Sequence, residues 1–151
     1  MNDKTVWLIE DNEDDVELTL LAFKRNSFNN SFVILRDGAE AIEYFSKSSR
    51  RDQMKEGNLP SLILLDLNLP KVNGLEVLKR LRSNESTKFT PVIILSTSKD
   101  KRDIIKSYIN GANSYIIKPV DFSEFLESVK FLGNYWLSLN ELPYENGVNY
   151  G

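Results

Sequence analysis

The amino-acid sequence predicts a doubly wound α/β domain built on a five-stranded parallel sheet. Five short, β-branched apolar runs alternate with five segments whose apolar residues recur at helical spacing. The runs are continuous, as in strands that helices cover on both faces. Turn dipeptides such as Asp-Gly and Asn-Gly separate the segments. Regular β–α alternation of this kind, with right-handed crossovers, builds an open doubly wound sheet.

The elements follow one another along the chain without an internal repeat. Strands are predicted at residues 5–10, 31–36, 61–66, 91–96 and 114–118. The helices between and after them are predicted from five apolar stripes: Val16, Leu20 and Phe23; Ala41, Ile42 and Phe45; Leu75, Leu78 and Leu81; Ile104, Ile105, Tyr108 and Ile109; Phe122, Phe125, Leu126, Val129 and Leu132.

Two stretches depart from the alternation. Residues 46–60 are polar and are predicted to form a long connection. Residues 133–151 are rich in aromatic side chains and are predicted to continue the last helix as a C-terminal extension. We therefore expect one domain over residues 1–132, followed by that extension and no output domain. Trp136 and the tail tyrosines are expected to pack on their own domain.

Composition excludes several kinds of chemistry. The 151 residues include no cysteine and no histidine, which rules out disulfides, thiolate nucleophiles, His-ligated metals and a Ser-His-Asp triad. The net charge of −3 gives no electrostatic footprint for nucleic acid or for an anionic membrane. No signal peptide and no bilayer-length apolar run are present, so we expect a cytoplasmic protein.

Polar residues cluster at the predicted strand ends. Glu10 and Asp11 close the first strand, Asp66 the third, Ser96 the fourth and Lys118 the fifth. In an open parallel sheet the carboxyl ends of the strands line one edge, where ligands bind. These five side chains are therefore expected to be neighbours.

That cluster indicates phosphoryl transfer assisted by a metal ion. Three carboxylates repel one another, and one lysine cannot neutralise them. A hard divalent cation, best Mg²⁺, would supply the missing positive charge through oxygen ligands. Asp66 would act as the nucleophile that forms an aspartyl phosphate, while Lys118 and Ser96 would contact phosphoryl oxygens.

The sequence resembles the response-regulator receiver domains of bacterial two-component signalling. The resemblance covers roughly residues 4–132 and is carried by four motifs: "IEDN" (9–12), "LLDLNLPKVNG" (64–74), "PVIILSTS" (91–98) and "YIIKP" (115–119). It implies a flavodoxin-like (βα)5 fold with strand order 2-1-3-4-5. It also implies that Asp66 accepts a phosphoryl group from a histidine of a sensor kinase.

The resemblance also implies a metal site. Asp11, Asp66 and the main-chain carbonyl of Asn68 would bind Mg²⁺. Glu10 would act on the metal through water, because the acid pair is Glu-Asp rather than the commoner Asp-Asp. Asn68 would flank the phosphoryl site.

Further roles concern the phosphoryl group and the switch. Ser96, Thr97 and Lys118 would lie around the phosphoryl group, and Tyr115 would turn inward when Ser96 moves. A half-buried strand aromatic without a switching role remains an alternative for Tyr115. The peptide bond between Lys118 and Pro119 is expected to be cis.

The output would be a changed protein–protein contact. The face formed by the fourth helix, fifth strand and fifth helix is expected to carry it, with Ile105 or Tyr108 serving a homodimer. The tail and the 46–60 connection resemble stand-alone regulators that accompany phytochrome-like sensor kinases.

Two other classes of function compete with the switch. A Mg²⁺-dependent phosphohydrolase would need a second acid two residues after Asp66, and Asn68 stands there. The intact acid pair, Asp66 and Lys118 argue against an unphosphorylated scaffold. No glycine- or hydroxyl-rich phosphate loop follows the first strand, which argues against a flavin-binding module of similar architecture.

Overall fold

The computed structural model describes residues 4–46, 59–145 and 148–149. The strands of the main sheet are β1 (Thr5–Ile9), β2 (Ser31–Leu35), β3 (Pro60–Leu65), β4 (Val92–Ser96) and β5 (Ser114–Ile117). The helices are α1 (Glu13–Arg25), α2 (Gly38–Ser46), α3 (Gly74–Ser83), α4 (Lys101–Ile109) and α5 (Phe122–Asn134). All four neighbouring strand pairs are parallel, in the order β2-β1-β3-β4-β5. The predicted fold and strand order are confirmed.

The core has two layers, one on each face of the sheet. Successive residues of a strand point to opposite faces, so β1 supplies both layers. Trp7 and Ile9 pack with residues of α2 and α3. Val6 and Leu8 pack with residues of α1 and α5. The central strands are therefore buried on both sides, which explains their continuous apolar sequence.

Helix α4 packs differently from the other helices. Ser107 is its buried residue. Its apolar stripe is largely exposed to solvent, with 54% of Ile105, 50% of Tyr108 and 76% of Ile109 accessible. The periodicity predicted the helix correctly, but most of its apolar face is available to a partner instead of the core.

Side-chain caps start the helices close to the carboxyl ends of the strands. Each cap is an oxygen that accepts a hydrogen bond from a backbone N–H in the first turn, which satisfies a donor that has no intrahelical partner. The capping residues of α1, α3, α4 and α5 are Asn12, Asn73, Asp100 and Asp121. The caps fix where the first turns of these helices meet the sheet edge.

The C-terminal extension begins by packing against the domain. After α5 the chain forms a π-helical segment, Tyr135–Leu139, in which Leu137 is buried in the layer shared by α1 and α5. The Lys4 ammonium donates a hydrogen bond to the Leu137 carbonyl at 3.0 Å. Two short antiparallel strands follow, β6 (Tyr144–Glu145) and β7 (Val148–Asn149), which the sequence did not predict. Trp136 is partly buried against the same layer.

The expected cis bond between Lys118 and Pro119 is wrong. No cis peptide bond occurs among the described residues, so this one is trans. The trans form of an X–Pro bond is favoured by about 0.5–1 kcal/mol, and the cis form needs contacts that offset this preference. The contacts of Lys118 with Ser96 and Glu10 are all made with the trans bond in place.

The sequence also predicted a long polar connection before β3 and contained no apolar run of bilayer length. The long connection predicted at 46–60 falls largely on residues 47–58, which lie outside the described residues. Among the described ranges, no helix combines the length and the apolar character that a bilayer crossing requires.

Candidate functional site

Backbone hydrogen bonds fix the three strand ends that carry charged side chains. The Glu10 N–H donates to a β2 carbonyl at 2.9 Å, and the Asp66 N–H donates to a β1 carbonyl at 3.0 Å. The Lys118 N–H donates to the Ser96 carbonyl at 2.8 Å. The ladder thus continues one residue beyond the strands. The side chains at these ends leave the sheet from rigid backbone positions.

Three carboxyl groups meet at this edge. Oxygen atoms of Glu10, Asp11 and Asp66 all lie within 4.8 Å of one another. Glu10 and Asp66 are buried, with 2% and 8% of their surface accessible, whereas Asp11 is exposed. The cluster is therefore closed on its protein side and open to solvent through Asp11.

Lys118 neutralises part of this negative charge, but not by pairing with Asp66. Its ammonium lies 2.6 Å from Glu10 Oε1 and 3.2 Å from Asp15 Oδ2. Its side chain is 12% exposed and that of Glu10 3%, so the first contact is shielded from water. Among the described residues, Lys118 makes ion pairs with these two carboxylates.

Sequence reasoning missed Asp15. The structure places it in the first turn of α1, next to the site. A signal was present, because Asp15, Thr19 and Ala22 follow the spacing of one helix face, and Thr19 and Ala22 are buried. That spacing could have shown that Asp15, unlike its neighbours Glu13 and Asp14, lies on the helix face that contains Thr19 and Ala22.

Burial and mutual repulsion change the titration of the cluster. Burial raises the pKa of Glu10 to about 7, although the hydrogen bond from Lys118 opposes this shift. Burial also raises the pKa of Asp66, with the Lys118 charge acting in the other direction. The negative charge of Asp66 adds to the rise in the pKa of Glu10, and that of Asp11 adds to the rise in the pKa of Asp66. Both carboxyl groups therefore keep their protons to a higher pH than freely solvated side chains do.

The same donor set fits a divalent metal ion. Carboxylate oxygens are the ligands that hard divalent cations prefer, and Mg²⁺ needs only a few of them because it retains several waters. A cation bound by these oxygens would offset the repulsion that, together with burial, raises both pKa values. Glu10, Asp11 and Asp66 would hold it.

The chain turns sharply after Asp66. The Asn68 N–H approaches Asp66 Oδ1 at 3.4 Å, and the Asn68 side chain is exposed. The turn closes where the Gly74 N–H donates to the Leu67 carbonyl at 2.9 Å. A Cβ at Gly74 would lie 2.5 Å from the Asp66 carbonyl oxygen, so only glycine lets α3 start this close behind the site.

Ser96 and Thr97 lie at the end of β4 with opposite exposure. Ser96 is fully buried, and its Oγ accepts a hydrogen bond from the Ser98 N–H at 3.1 Å. Thr97 is exposed and, together with Lys118, lines a cavity of about 120 Å³ between α1 and the β5–α5 connection. The hydroxyl of Ser96 is thus hydrogen-bonded to the β4–α4 loop, and Thr97 lies on the solvent side of the site.

Tyr115 ties the same loop to β5. Its side chain is half-buried, and its hydroxyl donates a hydrogen bond to the Ser98 carbonyl at 2.9 Å. The Ser98 hydroxyl in turn donates to Asp103 of α4 at 2.5 Å. A displacement of the loop at Ser96 would therefore reach both β5 and α4.

Comparisons with known proteins identify relatives over most of the chain. The family model for the response regulator receiver domain matches residues 6–130. The probable methanogenesis regulatory protein FilR2 of Methanothrix harundinacea is 38% identical over 141 residues, which are 91% of this chain and 86% of FilR2. The response regulator Rcp1 of Synechocystis sp. is 34% identical over 140 residues, which are 93% of each chain.

Solved structures show the same architecture. The phosphorylated cyanobacterial phytochrome response regulator RcpA superimposes with a TM-score of 0.81 at 38% identity, covering 94% of this chain and 99% of RcpA. The Mn²⁺-bound form of Rcp1 gives a TM-score of 0.81 at 33% identity, covering 93% of this chain and 99% of Rcp1.

Proposed function

Because the chain belongs to the response-regulator receiver domain family, we propose that Asp66 is its phosphoacceptor. The observation that carries this proposal is the meeting of Glu10, Asp11 and Asp66 beside Lys118 at the carboxyl edge of the sheet. Asp66 follows the central strand β3, and its backbone is held by β1. It is thus a carboxylate with little freedom at an edge that solvent can reach.

The donor of the phosphoryl group is a histidine kinase, as expected for a two-component regulator. The chain contains no histidine, so the phosphohistidine must come from the partner. An Asp66 carboxylate oxygen attacks phosphorus, a P–O bond forms, and the P–N bond to the imidazole breaks. The imidazole keeps the electron pair of that bond. We propose a phytochrome-like kinase, because RcpA is a phytochrome response regulator.

Charge neutralisation and positioning assist the transfer. Receiver domains bind a divalent metal, and we propose Mg²⁺ held by Glu10, Asp11, Asp66 and the Asn68 carbonyl; it would neutralise charge on the phosphoryl oxygens. Lys118 supplies one further positive charge from its buried position. These roles need placement rather than a covalent change in the assisting groups.

We propose that the hydroxyl groups of Ser96 and Thr97, at the end of β4, respond to phosphorylation of Asp66. Ser96 would turn from Ser98 towards a phosphoryl oxygen, and Thr97 would lie beside it. This movement changes the loop that Tyr115 contacts. Phosphorylation then shifts the population of two loop conformations, since it favours the one in which Ser96 contacts the phosphoryl group.

We propose that the output surface is the face formed by α4, β5 and α5. Ile105, Tyr108 and Ile109 on α4 are exposed, and Ile117 at the end of β5 is 37% exposed. Apolar side chains grouped on a surface in this way favour contact with another protein. A second copy of the chain is the partner we propose, so that phosphorylation would alter a homodimer.

Receiver domains generally act as phosphoacceptor switches. We propose that this one turns over no external phosphoester, because Asn68 cannot serve as the second acid of a phosphohydrolase. Its amide has no titratable proton to transfer. The cytoplasmic location predicted from the sequence stays a prediction.

Mass spectrometry after incubation with acetyl phosphate and Mg²⁺ tests the proposal. The wild-type chain should gain one phosphoryl group, and Asp66→Asn should gain none. Asp14→Asn is a matched control, because it removes an exposed carboxylate near the same edge. An unmodified wild-type mass, in a reaction where another receiver domain is labelled, would show that Asp66 is not a phosphoacceptor.

A further inference from the structure

Lys118 is shared between two carboxylates, one at the end of β1 and one in α1. Glu10 belongs to the acid cluster, whereas Asp15 belongs to α1 and lies outside the three grouped acids. The contact with Asp15 is longer than the contact with Glu10, at 3.2 Å against 2.6 Å. Asp15 thus attracts the ammonium towards α1, in addition to the attraction by Glu10.

Two hydrogen bonds fix the backbone of Asp15 in the first turn of α1. Its N–H donates to the Asn12 side chain at 3.0 Å, and its carbonyl accepts from the Thr19 hydroxyl at 2.7 Å. Asp15 also lines the 120 Å³ cavity together with Lys118 and Thr97. These bonds fix the backbone position from which the Asp15 carboxylate reaches Lys118.

The neighbouring acids show that this contact is specific. The first turn of α1 contains Glu13, Asp14 and Asp15. Glu13 pairs with Arg36, which follows β2, and Asp15 pairs with Lys118. For Asp14 the described part of the chain shows no ion pair. The chain thus offers a matched acid beside Asp15 that does not touch the lysine.

We propose that Asp15 is a positioning residue that acts through Lys118. It holds the ammonium on the α1 side of the site and weakens the contact of Lys118 with a phosphoryl group on Asp66. The inference rests on the proposed function of Asp66. It assigns to this chain a residue that tunes how strongly the phosphorylated state is stabilised.

The expected effect is modest, because the Asp15 side chain is 38% exposed and water screens its charge. Ion pairs of this exposure are worth about 0.2–1 kcal/mol. Removal of the Asp15 charge should therefore strengthen binding of a phosphoryl group by about 1.5- to fivefold. Exchange of the carboxylate for an amide keeps the shape of the side chain and tests charge alone.

Beryllofluoride, an analogue of the phosphoryl group, is the probe, and ¹⁹F nuclear magnetic resonance measures its binding at saturating Mg²⁺. Asp15→Asn should bind it about 1.5- to fivefold more tightly than the wild type does. Asp14→Asn should equal the wild type, and Asp15→Glu, which keeps the charge, should stay close to it. Circular dichroism and the melting temperature show that each variant is folded.

The Lys118→Met background separates action through lysine from a general charge effect. In that background, adding Asp15→Asn should leave the affinity unchanged. Equal affinity of Asp15→Asn and wild type would overturn the inference, as would an equal gain in Asp14→Asn or a gain that persists without Lys118. Absence of beryllofluoride binding by the wild type, with no labelling by acetyl phosphate, would instead overturn the proposed function itself.

Discussion

Raising the pH should destabilise the metal-free protein relative to a variant that lacks the Glu10 carboxyl. Burial raises the pKa of Glu10 from 4.5 to about 7 in the folded state. Between these two values the folded chain holds a proton that the unfolded chain has lost. The stability contributed by this proton is present at low pH and disappears as the pH rises through the folded pKa.

The size of the effect follows from the same two pKa values. For a group with a pKa of 4.5 unfolded and about 7 folded, linkage gives a loss of about 2.5 kcal/mol between about pH 5 and about pH 8. Asp66 adds to the loss, because burial raises its pKa as well. The Glu10→Gln variant removes the Glu10 titration. Its stability relative to wild type should therefore rise by about 2.5 kcal/mol over that interval.

Urea denaturation in the presence of a chelator measures this difference, with the fully buried Trp7 as a fluorescent reporter. The control is Glu17→Gln, an exposed acid of α1. A change with pH as large in this control as in Glu10→Gln would show that the effect is not specific to the buried cluster. If the stability of Glu10→Gln relative to wild type stayed constant or fell with rising pH, the buried cluster would not hold the proton described above.

Three packing and hydrogen-bonding contacts give further tests. Arg82 donates hydrogen bonds to four backbone carbonyls and to one side chain in the loops around β4. Arg82→Ala should lower the free energy of unfolding by about 2–4 kcal/mol in urea denaturation, against under about 1 kcal/mol for the exposed Arg80→Ala; equal losses would contradict the role of these bonds. A Cβ at Gly133 would lie 2.2 Å from the Phe28 ring. Gly133→Ala should therefore cost about 1–3 kcal/mol in thermal denaturation, and an unchanged melting temperature would refute this packing. Tyr115→Phe removes a hydrogen bond to the β4–α4 loop. It should cost about 0.5–1.5 kcal/mol while leaving labelling by acetyl phosphate intact, and a loss of labelling would show that Tyr115 acts in the transfer itself.

The fold was predictable because a strand that is buried on both faces has a continuous apolar sequence. The runs that became β1, β3 and β4 are continuous apolar segments, and their observed ends differ from the predicted ones by at most one residue. Helix α4 shows what such a sequence pattern does not reveal. Its apolar stripe has helical spacing, but spacing alone does not tell a face that packs on the sheet from one that remains exposed.

The sequence predicted those parts of the site whose positions follow from the ends of the strands. Glu10, Asp11 and Asp66 had to meet once the sheet was parallel and doubly wound. The partner of Lys118 was less predictable, because it depends on side-chain directions over several ångströms. In the structure Lys118 contacts Glu10 and Asp15, whereas the sequence predicted its contact with phosphoryl oxygens and named no carboxylate partner.

Location of the modified residue tests the central claim most directly. Borohydride reduces an acyl phosphate to an alcohol, which converts a phosphorylated aspartate to homoserine. After labelling with acetyl phosphate and Mg²⁺, reduction and proteolysis, peptide mass spectrometry should find homoserine at position 66 in place of Asp66. Homoserine at the position of Asp11 instead, or an unreduced peptide from a labelled chain, would contradict the assignment of Asp66 as the phosphoacceptor.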